Sequence, residues 1–154
     1  MPRLLIVLCA AQFLTLGATE MSAQDSSYDE NALRLESRVG NLQIVRGLQG
    51  TVVAQAGLFH GPKITSLVSQ SEKALAEARV FERNYEPGQT FAALGIATLG
   101  AAIGASRIPD INAAIPSGLA AASFLLIAYG GSKLENAYRA LSRSIWFYNR
   151  DLKR

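Results

Sequence analysis

Few side chains in this sequence could perform chemistry. His60 is the only histidine and Cys9 the only cysteine. A zinc site at His60 would need clustered carboxylates beside it, and the sequence places none there. There is no Gly-x-Ser-x-Gly turn for a serine nucleophile, and Gly95, Gly100 and Gly104 do not fit a phosphate-binding loop. We therefore expect a protein that is not an enzyme and that uses no metal and no cofactor.

A long apolar stretch is the most informative part of the sequence. Two apolar runs, 91–105 and 113–131, flank a connection in which Arg107 and Asp110 are the only charged residues. A bilayer core of about 30 Å takes roughly 20 residues per helix, which predicts a transmembrane hairpin of two helices over residues 89–131. The alternative is a buried Ala-rich helix pair in a globular domain, although a chain of 154 residues offers little else to cover two all-apolar helices.

Small residues form rows along both predicted helices. Alanines recur every four positions in the first run beside two glycines at GxxxG spacing, and the second run repeats the spacing. Residues four apart lie on one helix face, and rows of small residues let helix backbones approach closely in lipid. We expect close packing within the hairpin or between copies. The predicted helix-packing residues are Ala93, Ala97, Gly100, Ala101, Gly104, Gly118 and Ala122.

Two prolines bracket the connection between the predicted helices. Pro109 disfavours helical geometry at Ile108. Pro116 suits the first turn of a helix, where its missing N–H costs nothing. We therefore expect a tight turn and antiparallel helices.

Residues 1–23 have the three parts of a secretory signal peptide. Arg3 supplies positive charge, an apolar run extends to Leu16, and small residues lead to cleavage after Ala23 or, as second choice, Ala18. Export then places both hairpin flanks outside the cytoplasm, in an integral inner-membrane protein of the cell envelope. The positive-inside rule favours the opposite orientation, because the turn holds one basic residue and the flanks hold many. We follow the signal peptide because its pattern is complete.

The exported segment, residues 24–88, is polar and is predicted to be partly helical. Its beginning, 24–37, is rich in Asp, Glu and Ser and is expected to be a mobile lead-in. Residues 42–59 hold β-branched residues around Gln49-Gly50 and predict a small β-hairpin, with helix or loop as alternatives.

Helix signals follow in the same segment. Pro62 could open a short helix, and Ser69 with Glu72 has the spacing of a capping box for a second helix at 70–85. The Glu-Pro-Gly sequence at 86–88 is expected to end that helix before the membrane.

Residues 132–154 predict a basic amphipathic helix. They carry six Lys or Arg and two Asp or Glu, a net charge of +4. Gly130-Gly131 is expected to loosen the end of the second span. Ser132 and Glu135 have the spacing of a capping box, which would begin a new helix. Apolar residues follow at alternating intervals of four and three. They are Leu134, Tyr138, Leu141, Ile145, Tyr148 and Leu152.

Three interpretations of this apolar seam remain open. It could pack on the helix before the hairpin, or it could pair with another chain. It could also lie in the membrane interface, where Arg143, Trp146 and Tyr148 would serve as anchors.

Residues 71–84, the hairpin glycines and residues 140–149 carry a resemblance to a protein group. The layout resembles small uncharacterised bacterial membrane proteins with a signal peptide, a two-span Ala/Gly-rich hairpin and a C-terminal amphipathic helix. The resemblance implies no activity.

The predicted fold is mainly α, a membrane helical hairpin with flanking amphipathic helices. The predicted function is a non-enzymatic membrane protein of the bacterial envelope that assembles, anchors or assists a larger complex. The alternative is a small oligomeric pore or transport accessory, although spans without charged residues argue against an ion relay. Expected partners are the lipid bilayer and either a second copy or another membrane protein, with no nucleic acid.

Overall fold

The computed structural model describes residues 28–38, 41–57 and 60–153, so the signal peptide predicted at 1–23 lies outside it. A helical turn at 28–31 precedes three strands and two long helices. The elements are β1 (Leu33–Arg38), β2 (Asn41–Arg46), β3 (Thr51–Ala56), α1 (Glu72–Ala105) and α2 (Ala114–Leu152). The prediction of a mainly α fold with a small β-hairpin is confirmed.

The sheet contains one strand more than the sequence predicts. Its order is β1-β2-β3, and both neighbouring pairs are antiparallel. β2 and β3 form the predicted hairpin, and Gly47 and Gly50 in its turn have φ of +68°, which costs glycine nothing. The predicted mobile lead-in is wrong for residues 28–37, which form the helical turn and most of β1. Leu33 is buried in the core there. Apolar and charged residues alternate in β1, as is typical of a strand, but the alternation is short and is hard to recognise among the charged residues around it.

One side chain fastens β1 to α2. The Oδ1 atom of Asn149 accepts a hydrogen bond from the Leu33 N–H at 2.8 Å, and its Nδ2 atom donates to the Leu33 carbonyl at 2.7 Å. The amide thereby satisfies both backbone groups of an edge residue, as a neighbouring strand would.

Helix α1 is capped by Ser71. The Ser71 Oγ accepts from the Ala74 N–H at 3.2 Å and donates to Asp151 Oδ2 at 2.6 Å. The predicted cap at Ser69 is therefore two residues early. The short helix predicted from Pro62 is instead an irregular segment with turns.

Both long helices run through the points where the sequence predicts breaks. α1 continues through Pro87, and α2 continues through Gly130 and Gly131. The helix ends predicted at these positions are therefore wrong. Pro87 removes one backbone hydrogen bond, but the two helices pack on each other on both sides of these positions, and such packing overrides local propensity. The boundaries expected after residues 88 and 131 thus fall inside helices.

The connection between the helices spans residues 106–113. A Cβ atom built on Gly88 would meet Leu134, and one on Gly95 would meet Ile127, so the helices are antiparallel neighbours, as predicted. Pro116 lies in the first turn of α2. Asp110 has φ of 64°, a left-handed conformation that Asp tolerates better than most residues.

The sheet and the adjoining parts of both helices share one core. We call the described residues from 28 to 86 and from 133 to 153 the head. The C-terminal seam packs on the helix that precedes the hairpin, the first of its three interpretations, and Ser144 Oγ donates to the Ala74 carbonyl at 2.8 Å within it. The larger buried core residues are Leu33, Ile44, Ile64, Val68, Phe81, Tyr85, Leu141, Ile145 and Tyr148.

Candidate functional site

The two helices approach each other most closely at glycines. A Cβ atom built on Gly130 would lie 2.5 Å from the Ala92 nitrogen and 2.8 Å from the Gly88 carbonyl oxygen. A Cβ atom on Gly95 would lie 2.9 Å from the Ile127 nitrogen. Because these neighbours are backbone atoms, no side-chain movement can make room for a methyl group.

Buried residues recur every seven positions along both helices, and all of them are small except Phe81 of α1. A seven-residue spacing keeps one seam facing the partner helix of a left-handed coil. The small seam residues of α1 are Ala74, Gly88, Gly95 and Ala102, and those of α2 are Ser123, Gly130, Ala137 and Ser144. This spacing is visible in the sequence, but the four-residue alanine repeat obscures it.

The small-residue rows predicted from the sequence face outward instead. Nothing lies within 4 Å of a Cβ atom built on Gly100, Gly104 or Gly118. Ala97, Ala101 and Ala122 are exposed, and Ala93 is half-buried. These rows do not form the close contact within the hairpin, because the seam runs one position away, through Ala102 rather than Ala101. Contact between copies through these rows stays a prediction.

The outer surface of the hairpin is apolar. Each long helix contains an 18-residue window apolar enough to cross a membrane, and only 17% and 11% of these windows is buried. Ile96, Phe124 and Leu125 are 65%, 67% and 73% exposed. Extended exposed apolar surfaces of this kind mark contact with membranes or partner proteins.

The uncharged part of each helix has the length of a bilayer core. Glu86 is the last charged residue of α1, and Lys133 is the first of α2. From Glu86 to the end of α1 the rise is about 29 Å, and from the start of α2 to Lys133 it is again about 29 Å. The hydrocarbon core of a bilayer is about 30 Å thick.

Three hydroxyl groups in this part of the helices are bonded within their own helix. Thr90, Thr98 and Ser123 each donate to a backbone carbonyl three or four residues earlier, at 2.9, 2.8 and 2.7 Å. A hydroxyl bonded in this way tolerates an apolar environment, because it leaves no donor unpaired.

The two ends of the uncharged part differ. At the head end, Phe91 and Tyr129 stack edge to face at 4.9 Å, and the Lys133 ammonium lies 5.6 Å from the Tyr129 ring. Aromatic and basic residues of this kind are typical of membrane boundaries. At the other end, Arg107 and Asp110 are exposed in the connection.

The three residues predicted to anchor in the membrane interface occupy other places. Tyr148 is 5% exposed and belongs to the head core, so that prediction is wrong. Trp146 is exposed, and Arg143 lies 3.9 Å from Glu77. Both lie about 15 to 20 Å beyond Lys133 along α2, whereas the headgroup layer adds only about 5–8 Å to each side of the core.

The described residues contain no cluster of three His, Cys, Asp or Glu that could hold a metal ion. His60 is exposed beside Gly61. Partial burial, with a further contribution from Tyr85, raises the pKa of the Tyr138 phenol above its ordinary value of 10.0. That the protein uses no cofactor and is not an enzyme stays a prediction.

Comparison with protein-family models, curated proteins and solved structures finds no match to this chain.

Proposed function

We propose that the hairpin crosses a lipid bilayer and holds the head at one surface, in a non-enzymatic protein of the bacterial envelope. The low burial of both apolar windows, 17% and 11%, carries the proposal. A long apolar helix in the core of a globular protein is mostly buried, and a signal sequence lies near the N-terminus. The hairpin fits neither description. Each large apolar side chain moved out of water gains about 1.5–3 kcal/mol.

Within the envelope, the role that fits best is the assembly or anchoring of a larger complex. An ion relay needs ionisable side chains along its path, and residues 87–106 and 111–132 contain no Asp, Glu, Lys or Arg. The head supports a binding role, because Trp146 and Leu48 are 58% and 72% exposed on it. Exposed tryptophans are frequent anchors of protein interfaces.

A small oligomeric pore or transport accessory is the second candidate. The observation in its favour is the open space at Gly100 and Gly104 of α1 and at Gly118 of α2, where a second copy could approach closely. A pore would need several copies, since the seam between the two helices of one copy is closed by backbone contacts.

Alkaline carbonate extraction of cell membranes tests insertion. We expect the protein to stay in the membrane pellet and to be released only by detergent. Folded protein in the carbonate supernatant would contradict the proposal. A pull-down in mild detergent then separates the two roles: co-purification of another envelope protein supports anchoring, and recovery of a homo-oligomer alone supports the pore.

Topology is predicted from the signal peptide, which places both hairpin flanks outside the cytoplasm. In a Cys9→Ser background, we expect Glu86→Cys to react with an impermeant thiol reagent in intact cells, and Arg107→Cys to react only after lysis. Both positions are exposed. Reaction at position 107 alone in intact cells would show the opposite orientation, which the positive-inside rule favours.

A further inference from the structure

One loop of the head is fixed beside the end of the uncharged helices. We call residues 60–65 the junction loop. The Thr65 N–H and hydroxyl both donate to Glu82 Oε1, at 3.0 and 3.1 Å. A Cβ atom on Gly61 would lie 3.0 Å from the Tyr85 ring. The loop is therefore attached to α1 at two points one turn apart.

Gly57 is bonded to the same part of the structure. The Tyr85 hydroxyl donates to the Gly57 carbonyl at 2.9 Å, and the Gly57 N–H donates to the His60 carbonyl at 3.0 Å. These contacts set the height of the loop relative to the hairpin, because Tyr85 immediately precedes Glu86 in the helix.

The attachment points lie close to the expected bilayer surface. Glu82 and Tyr85 precede Glu86, the last charged residue before the uncharged stretch, by about 6 and 1.5 Å of helix rise. The headgroup layer is about 5–8 Å thick on each side of the core. The loop therefore falls at the depth of the headgroups when the hairpin spans the membrane.

The opposite end of the sheet is far from this level. Leu33 is bonded to Asn149, and Asn149 lies about 24 Å beyond Lys133 along α2. The β2–β3 turn is at that end, since the Gly47 N–H donates to the Ala32 carbonyl. The sheet thus stands roughly upright on the membrane, with one end near it and the other remote.

We infer that the junction loop rests in the phospholipid headgroup layer and that His60 and Lys63, both exposed, contact the lipid phosphates. The inference rests on the proposed membrane insertion and adds the face of the head that touches lipid. It makes the junction loop a second membrane contact, separate from the hairpin.

Fluorescence quenching by nitroxide lipids tests the inference. Single cysteines at Lys63, Gln49 and Leu125 in a Cys9→Ser background carry a fluorophore, with the full chain in phosphatidylcholine vesicles. All three positions lie outside the buried core. We expect headgroup-labelled lipid to quench position 63 several-fold more than position 49. Chain-labelled lipid should quench position 125.

Each outcome decides one claim. Equal quenching at positions 63 and 49, strong or absent, with position 125 quenched by chain-labelled lipid, would overturn the junction-loop contact and leave insertion intact. No quenching at position 125 would instead refute the proposed insertion. A label at His60 repeats the measurement within the loop, so the result does not depend on one substitution.

Discussion

At the scale of single residues, Asn149 of α2 is bonded to Leu33 of β1. Its amide pairs with both the N–H and the carbonyl of Leu33, at 2.8 and 2.7 Å. Only a group with one donor and one acceptor side by side can satisfy both partners. These two hydrogen bonds therefore tie the edge strand β1 to α2.

Replacing Asn149 by Asp should destabilise the head by about 1–3 kcal/mol, because it removes the donor and places a carboxylate oxygen against the Leu33 carbonyl. Chemical unfolding in mild detergent measures the change. Asn136→Asp is the matched control, since Asn136 is exposed on the same helix. Equal stability of the two variants would mean that Asn149 does not hold β1.

The sequence predicts contacts between residues only in part. The spacing of Leu141, Ile145 and Tyr148 correctly predicts a buried seam. It does not reveal that Tyr148 lies far from the apolar stretch, because that distance depends on α2 continuing through Gly131. The Asn149–Leu33 pair is not predictable either, because more than a hundred residues separate its members.

At the scale of elements, packing decides which glycines matter. Gly130 and Gly100 have the same chemistry and both lie in helices. A Cβ atom on Gly130 would meet backbone at 2.5 Å, whereas one on Gly100 would meet nothing within 4 Å. The two positions form a matched pair for testing whether close contact between the helices at Gly130 stabilises the hairpin.

Gly130→Ala should destabilise the hairpin by about 1–3 kcal/mol, because the added methyl group forces the two backbones apart. Gly100→Ala should leave stability unchanged or raise it slightly, because alanine has the higher helix propensity. Thermal unfolding in detergent, followed by circular dichroism, compares the variants. A larger loss in Gly100→Ala than in Gly130→Ala would mean that the outward row carries the main contact.

The same comparison explains where the prediction of elements fails. Pro87 and the Gly130-Gly131 pair are strong local signals for helix ends, and both are overridden. A long partner helix supports the chain on either side of them, and local propensity contains no information about such support. The long apolar helices and the β2–β3 hairpin were predictable, whereas strand β1 and the merging of four predicted helices into two were not.

At the scale of the whole molecule, the seam with seven-residue spacing runs along the full helix pair, but its two parts have different surroundings. In the head it is covered by the sheet and its loops, and in the hairpin its outer sides are bare and apolar. Composition alone predicted the position of the apolar part, because charges are missing from it. Because both helices are continuous, α1 and α2 join the head to the hairpin with no flexible linker within either helix.

The central claim is that the bare apolar surface faces lipid, and a pair of double variants tests it most directly. Ile96→Lys with Leu125→Lys places charges on the hairpin, where the side chains are 65% and 73% exposed. Leu48→Lys with Val52→Lys places them on the head, where the exposure is 72% and 49%.

Near the membrane centre each lysine opposes insertion by about 2.5–3.5 kcal/mol, whereas on a water-exposed surface it costs little. The measurement is the fraction of each variant that resists carbonate extraction, relative to wild type. We expect the hairpin variant to be largely lost from the membrane pellet and the head variant to stay there. Equal retention of the two variants would contradict it, because the apolar surface would then not face lipid.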